Sequence, residues 1–89
     1  MAYSIKFSEA AQKDLKKLDR EVAKRILRVL YGRVANLEDP RSIGEALRGE
    51  IFWKYWKYRV GDYRIIAQIT DKTLEILIIQ IGNRREIYR

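Results

Sequence analysis

The chain has 89 residues, with 19 Lys and Arg against 12 Asp and Glu, a formal charge of +7 at pH 7. This length supports one domain with one modest core, and the charge indicates an anionic partner. Nucleic acid is the first candidate, an acidic protein the second and an anionic membrane the third. The chain lacks histidine and cysteine. Their absence excludes disulfides, thiolate metal sites, and Ser-His-Asp or Cys-His catalysis, so any catalysis must use Lys, Arg, Tyr or carboxylates.

No run of about 18 apolar residues occurs, so the sequence predicts no membrane-spanning segment. The first residues lead directly into a strand-like pattern and carry no hydrophobic signal region. We therefore expect a cytoplasmic protein, with residues 1–89 forming a single domain. No linker, repeat or low-complexity segment interrupts it.

The first half of the chain predicts one strand followed by two helices. Apolar and polar residues alternate over residues 3–7, as in a half-buried strand. Ser8 is a good N-cap for a helix over residues 9–18, and Asp19 can cap a second helix over residues 20–37. Apolar residues recur along both helices at helical spacing, so the hairpin is expected to bury them against one face of a sheet.

Eight cationic side chains decorate the two predicted helices. Such residues usually form a solvated outer face, and the alternative is that they extend a phosphate-binding surface. The eight are Lys13, Lys16, Lys17, Arg20, Lys24, Arg25, Arg28 and Arg33.

The second half of the chain predicts three strands joined by tight turns. A polar loop leads to an aromatic and basic strand over residues 51–60. Gly61-Asp62 supplies a turn, and residues 63–70 return as the partner strand. A second turn at Asp71-Lys72 precedes a nearly continuous apolar run over residues 73–81. Such a run is typical of a central strand that is covered on most of both faces.

The predicted fold class is therefore α+β, with the element order β-α-α-β-β-β. An antiparallel-rich sheet is expected, with the two-helix hairpin packed on one face. Because helices separate the first strand from the later ones, one parallel pairing is allowed. The pattern alone leaves the strand order open.

The strand over residues 51–60 interleaves rings with cations. Alternate strand residues share a face, which separates Tyr55, Lys57 and Arg59 from Lys54, Trp56 and Tyr58. Rings stack on bases and cations bind phosphates, so the run indicates a surface for an RNA-like polyanion. The alternative is packing: we expect Trp56 and Tyr58, or else Tyr55, to be largely core, and lysines can guard a sheet edge.

Arg64 begins the return strand, and Arg84 follows the end of the last strand. An antiparallel meander brings these two positions to the same end of the sheet, and their parity agrees if the ladder has no bulge. Two converging guanidiniums suit a phosphate, which they can bind by bidentate hydrogen bonds. The alternative is an ion pair with Glu75 or Glu86.

Tyr88 lies near the end of the sequence, where a ring either anchors the tail by packing, stacks on a base or takes part in proton transfer. A phenol with a pKa of about 10 is a poor base unless cations lower that pKa. Arg84, Arg85 and Lys57 are the candidates for this effect.

Four segments resemble the RelE/ParE toxin superfamily, and the likeness covers essentially the whole chain. They are residues 2–8, 46–49 (Ala-Leu-Arg-Gly), 58–66 (Tyr-Arg-Val-Gly-Asp-Tyr-Arg-Ile-Ile) and 81–89 (Ile-Gly-Asn-Arg-Arg-Glu-Ile-Tyr-Arg). The element order agrees as well. Within this superfamily, RelE-like members cut messenger RNA on the ribosome, whereas ParE-like members poison DNA gyrase.

The resemblance implies a set of site residues. The RelE-like catalytic positions fall on Arg64, Arg84, Tyr88 and Lys57. The candidate RNA-binding residues beside them are Lys54, Tyr55, Arg59 and Arg85. Many relatives carry a histidine where this chain has Asn83, and an amide cannot exchange protons as an imidazole does.

The resemblance also implies partners: a ribosome with bound messenger RNA and a cognate acidic antitoxin, with no cofactor, metal or membrane. Three hypotheses follow for the function. The first is a metal-independent endoribonuclease toxin in which the RNA 2′-OH attacks the adjacent phosphate. The second is a gyrase-inhibiting toxin, and the third is a non-catalytic RNA-binding module.

Overall fold

The computed structural model describes residues 3–47 and 55–83. Five strands, two α-helices and two short 3₁₀ turns make up this part of the chain. In chain order these are β1 (Ser4–Phe7), α1 (Glu9–Lys17), α2 (Arg20–Gly32), the 3₁₀ turns Val34–Asn36 and Pro40–Ile43, β2 (Glu45–Ala46), β3 (Tyr55–Val60), β4 (Tyr63–Thr70) and β5 (Glu75–Asn83).

The five strands form one mixed sheet in the order β1-β5-β4-β3-β2. Strands β2 to β5 pair antiparallel, whereas β1 pairs parallel with β5. The helical hairpin provides the long connection that a parallel pairing requires. The predicted α+β class, with its antiparallel-rich sheet and one parallel pair, is confirmed.

Both helices begin where the sequence predicts. The side chain of Ser8 accepts a hydrogen bond from the Ala11 N–H, and Asp19 caps α2 in the same way. The predicted end of the second helix at residue 37 was wrong, because α2 ends at Gly32. The amide of Asn36 donates to two of the last carbonyls of α2, and a 3₁₀ turn replaces the expected last helical turn.

Both helices pack on one face of the sheet, as predicted. The buried cluster joins the apolar stripes of the helices to the inward residues of β3, β4 and β5. Its members are Ala11, Ile26, Leu30, Val34, Tyr58, Val60, Ile65, Ala67, Ile76, Ile78 and Ile81. The opposite face of the sheet is therefore left for polar and charged side chains.

The last strand differs from its prediction in coverage and in register. β5 lies inside the sheet between β1 and β4, but Leu77 is 37% exposed, so the expected cover on both faces was wrong. A β-bulge shifts the β4–β5 register between Ile66 and Ala67. The extra residue lets both Ile78 and Ile81 point into the core, which strict alternation would forbid.

A polar cluster ties the β4–β5 turn to the segment before β2. Arg41 donates two hydrogen bonds to the carboxylate of Asp71, at 2.9 and 3.0 Å. The Tyr3 hydroxyl donates a third at 2.9 Å. These hydrogen bonds, that of Arg41 first, hold the pKa of Asp71 below its usual range. The arrangement joins three segments that are distant in sequence.

Candidate functional site

The sheet face opposite the helices brings three cations together. In the β3–β4 ladder, Arg59 stands directly opposite Arg64, and Lys57 lies two residues earlier on the same face. We call this surface, defined by Lys57, Arg59 and Arg64, the cationic face. Like charges directly opposite each other across a ladder destabilise a sheet, so this arrangement favours an anion between them.

Arg64 also faces the end of β5. Its register partner there is Gly82, and Ile66 pairs with Gln80, as the sequence parity predicts. The β-bulge lies beyond these pairs and leaves them unchanged. Arg64 thus stands opposite a buried position that has no side chain.

The α1 segment fixes this part of β5. The Ser8 hydroxyl donates to the carbonyl of Ile79 at 2.9 Å, and the carboxylate of Asp14 accepts from the Ile81 N–H at 3.0 Å. Both contacts satisfy backbone groups around the bulge, where the regular ladder is interrupted. These contacts of Ser8 and Asp14 therefore help to fix the part of β5 in which Gly82 pairs with Arg64.

Arg64 is held at the turn between β3 and β4. Its Nη1 donates to the carbonyls of Gly61 and Tyr63, both at 3.0 Å. Within residues 3–47 and 55–83, no carboxylate lies within 4.0 Å of its guanidinium. For Arg64, the alternative ion pair with Glu75 was wrong, because that carboxylate binds Lys6 at 2.7 Å. Arg64 thus combines a fixed position with N–H groups able to bind an anion.

A carboxylate that the sequence interpretation missed lies on the cationic face. Glu45 is the register partner of Lys57 in the β2–β3 pair. One carboxylate oxygen lies 3.0 Å from the Arg59 guanidinium, and the other lies 3.4 Å from the Lys57 ammonium. A two-residue strand carries no periodic signal, so the sequence pattern placed Glu45 in a loop.

The two cations bound by Glu45 differ in exposure. The side chain of Lys57 is only 13% exposed, whereas that of Arg59 is 58% exposed. Desolvation raises the pKa of Glu45, but the hydrogen bonds and charges of Lys57 and Arg59 outweigh it, so the pKa is lowered overall. Glu45 is therefore ionised at neutral pH and offsets the charge of a shielded ammonium.

Arg25 extends the cationic surface around the end of the sheet. It projects from α2, and a Cβ placed on Gly61 would lie 3.4 Å from its Nη1. Among the described residues, neither Arg25 nor the other seven helix-associated cations has a carboxylate within 4.0 Å. Sequence patterning assigned Arg25 to a helix face and gave no signal that it reaches the turn.

The aromatic residues of β3 divide between core and surface. Tyr58 is buried, as expected, and its hydroxyl donates to the carbonyl of Pro40. Burial raises the pKa of Tyr58 to about 12, so this phenol is neutral and is committed to packing. Trp56 is half-buried with the Arg41 guanidinium 5.9 Å from its ring centroid, and Tyr55 is half-buried beside Lys57. Of these rings, Tyr55 shares the cationic face.

Five residues from the sequence predictions lie outside the described residues. They are Lys54, Arg84, Arg85, Glu86 and Tyr88. Asn83 is the last residue of β5 and pairs with Tyr63. Within residues 3–47 and 55–83, no group of three or more acidic side chains is arranged to hold a metal ion. In the same residues, neither helix has the length and apolar character needed to cross a membrane.

Known solved structures have the same fold. The toxin–antitoxin complex RelBE2 from Mycobacterium tuberculosis matches with a TM-score of 0.85 and 24% identity, over 97% of this chain and 95% of that chain. The intact RelBE toxin–antitoxin complex of Escherichia coli matches with a TM-score of 0.71 and 26% identity, over 92% and 96%. Both are structures of toxins bound to antitoxins.

Sequence comparison also identifies toxins as relatives of this chain. A family model described as the ParE toxin of type II toxin–antitoxin systems matches residues 5–88. Toxin RelG of Mycobacterium tuberculosis is 28% identical over 100% of this chain and 99% of its own length. The mRNA interferase toxin RelE of Escherichia coli K12 is 33% identical over 99% and 92%. The chain therefore belongs to the RelE/ParE family of toxins of type II toxin–antitoxin systems.

Proposed function

We propose that this toxin is an endoribonuclease that cleaves messenger RNA bound to the ribosome. The observation that carries the proposal is the juxtaposition of Lys57, Arg59 and Arg64 on one sheet face, where Arg64 is the register partner of Gly82. Its relatives from Escherichia coli K12 and Shigella flexneri, each 33% identical, are named mRNA interferases. A phosphodiester is the ligand that suits three neighbouring cations on a polar surface.

The proposed reaction is an internal transfer of the phosphoryl group. The 2′-OH loses its proton and attacks the adjacent phosphorus, and the bond from phosphorus to the 5′-oxygen then breaks. The leaving 5′-oxygen takes up a proton, so the products are a 2′,3′-cyclic phosphate and a 5′-hydroxyl. Because the nucleophile belongs to the RNA itself, the reaction requires no metal-activated water.

Each cation of the site has a role in this proposal. Arg64, held by two backbone carbonyls, stabilises the negative charge that develops on the phosphorane. Lys57, two residues before Arg59 on the same face, is the proposed proton-transfer group, and family resemblance adds Arg84 and Tyr88 to the site. Arg59, Tyr55, Lys54 and Arg85 are the proposed contacts to neighbouring phosphates and bases.

The proposal assigns substrate positioning to the ribosome. The chain lacks histidine, the usual proton-transfer group at neutral pH, so its own groups are expected to act weakly on free RNA. Holding the 2′-OH in line with the phosphorus makes the step effectively unimolecular and supplies much of the missing acceleration. Activity is therefore expected on translating ribosomes and not on naked message.

The second proposed partner is an acidic antitoxin. The toxin carries a formal charge of +7, and the solved relatives include several complexes with RelB antitoxins. An acidic segment that folds on binding can wrap a small basic domain and cover its cationic face. Co-expression with the product of a neighbouring gene tests this partner by co-purification and by restored growth.

The test of the nuclease is incubation with translating ribosomes in EDTA, followed by mapping of the message ends. We expect discrete cuts within the ribosome-bound region and no cuts in naked message. An intact message on translating ribosomes would contradict the proposal.

A second candidate function is gyrase poisoning, which the ParE description of the matching family model favours. It predicts double-strand breaks and DNA-damage signalling on expression, with messages left intact. One growth-arrest experiment that measures both DNA breaks and message integrity separates the two functions.

A further inference from the structure

The ion pairs of this fold are unevenly placed with respect to the cationic face. Among the described residues, the pairs of Lys6 with Glu75 and of Arg41 with Asp71 lie away from it. Glu45 alone, within residues 3–47 and 55–83, places a carboxylate against Lys57 and Arg59. This carboxylate therefore occupies the cations that the proposed function gives to RNA phosphates.

The geometry of Glu45 resembles that of a bound phosphodiester. Its two oxygens contact different cations, one Arg59 at 3.0 Å and the other Lys57 at 3.4 Å. The two non-bridging oxygens of a phosphodiester bind a pair of cations in the same manner. Arg59 is also the register partner of Arg64, so the Glu45 carboxylate offsets part of the like charge that this pairing brings together.

The carboxylate is held weakly enough to be displaced. The side chains of Glu45 and Arg59 are 53% and 58% exposed, and an ion pair between two exposed groups contributes little to stability. The strand that carries it, β2, has only two residues, and among the described strands it pairs with β3 alone. Rotation of the Glu45 side chain away from the sheet would leave the backbone pairing intact.

We propose that Glu45 is an internal counter-ion, a specificity-determining residue that an RNA phosphate must displace to reach Lys57 and Arg59. The proposal rests on the proposed function for the identity of the ligand. A single phosphate group makes no more contacts with Lys57 and Arg59 than the Glu45 carboxylate already makes. A chain of phosphates gains further contacts, beginning with Arg64, so Glu45 selects extended backbones over single phosphate groups.

The test compares E45Q with a matched control, E75Q. Both substitutions remove one negative charge and keep the side-chain shape. Glu75 contacts Lys6 and pairs with Thr70, at the opposite end of β4 from Arg64. The probe is a short, fully 2′-O-methylated RNA, which lacks the 2′-OH nucleophile and so cannot be cleaved. Binding is measured by fluorescence anisotropy over a range of salt concentrations, with thermal melts of each variant.

We expect E45Q to bind the RNA about three- to tenfold more tightly than E75Q. The affinity of E45Q for RNA should also fall more steeply as the salt concentration rises. The difference in slope should correspond to about one additional phosphate contact. Inorganic phosphate should compete for RNA binding more effectively with E45Q than with E75Q, because the carboxylate no longer opposes it.

Two results would overturn the inference. Equal RNA affinity of E45Q and E75Q would mean that the carboxylate does not compete with phosphate. Weaker binding by a folded E45Q would mean that Glu45 holds the cations in place for the ligand. Message cleavage on ribosomes by the unaltered protein is scored separately, so failure of the nuclease proposal is distinguishable from failure of this one.

Discussion

Replacing Arg64 by alanine tests the cationic face most directly. The side chain donates to two carbonyls at the β3–β4 turn, Gly61 and Tyr63, and has no carboxylate partner among the described residues. Both carbonyls lie at the end of the sheet, where water can replace the guanidinium. The substitution should therefore leave the fold intact.

The magnitude of the expected loss follows from these contacts. A preorganised donor that stabilises transition-state charge typically contributes about 3 kcal/mol, a loss of roughly a hundredfold in rate. The stability cost should stay under about 1 kcal/mol, because no buried group loses its partner. An R64K substitution should recover only part of the rate, since one ammonium cannot hold the turn and bind a phosphate in the bidentate manner.

The assay is single-turnover cleavage of a ribosome-bound message, with thermal melts of each variant. The matched control is R28A, which removes the same side chain and charge from the exposed surface of α2. We expect the rate of R28A to lie close to that of the unaltered protein. Comparison with this control separates the local effect at the site from the general effect of lower net charge.

Either of two results would contradict this role of Arg64. Near-normal cleavage by R64A would remove Arg64 from the site. A large fall in the melting temperature of R64A, beyond that of R28A, would show that the residue serves the fold through its contacts with the turn.

Three further predictions concern the fold. Tyr58→Phe should lower the free energy of unfolding by about 1 to 3 kcal/mol, since it leaves the buried Pro40 carbonyl without its donor; urea unfolding measures this. Gly61→Ala should cost about 1 to 2 kcal/mol in the same assay, because the backbone there has φ of +59°. The folded-state pKa of Asp71 is lowered, so its contribution to stability is present above about pH 4 and is lost as the pH falls through the folded-state pKa. Melting temperatures between pH 2 and pH 7 should accordingly depend less on pH in Asp71→Asn, and an unchanged pH dependence would exclude this role.

The sequence predicted those parts of the fold that local chemistry determines. Ser8 and Asp19 begin the two helices because their side-chain oxygens accept from nearby N–H groups, a signal contained within a few residues. The alternation along β3 correctly separated Tyr58 from Lys57 and Arg59. The meander pattern brought Arg64 and Arg84 together as candidate phosphate ligands. Resemblance to a known family then assigned them, with Lys57 and Tyr88, to one catalytic set.

The features that the sequence pattern missed depend on tertiary contacts. The bulge in β5 was hidden because a continuous apolar run does not reveal which residues face the core. Glu45 was assigned to a loop because its strand exists only through pairing with β3. Arg25 lies near Gly61 only because α2 packs on the sheet, and no local pattern encodes this relation between distant segments.

The parallel pairing of β1 with β5 has a consequence for how this protein folds. Ser4 and Glu75 are register partners, so the sheet is completed only when segments from nearly opposite ends of the described chain meet. Until β5 is synthesised, β1 has no strand to pair with, and the apolar stripes of α1 and α2 lack much of the surface that covers them. Such distant contacts slow folding. The complete core beneath the cationic face therefore forms late, and a nascent chain that ends before β5 should lack the toxin's activity.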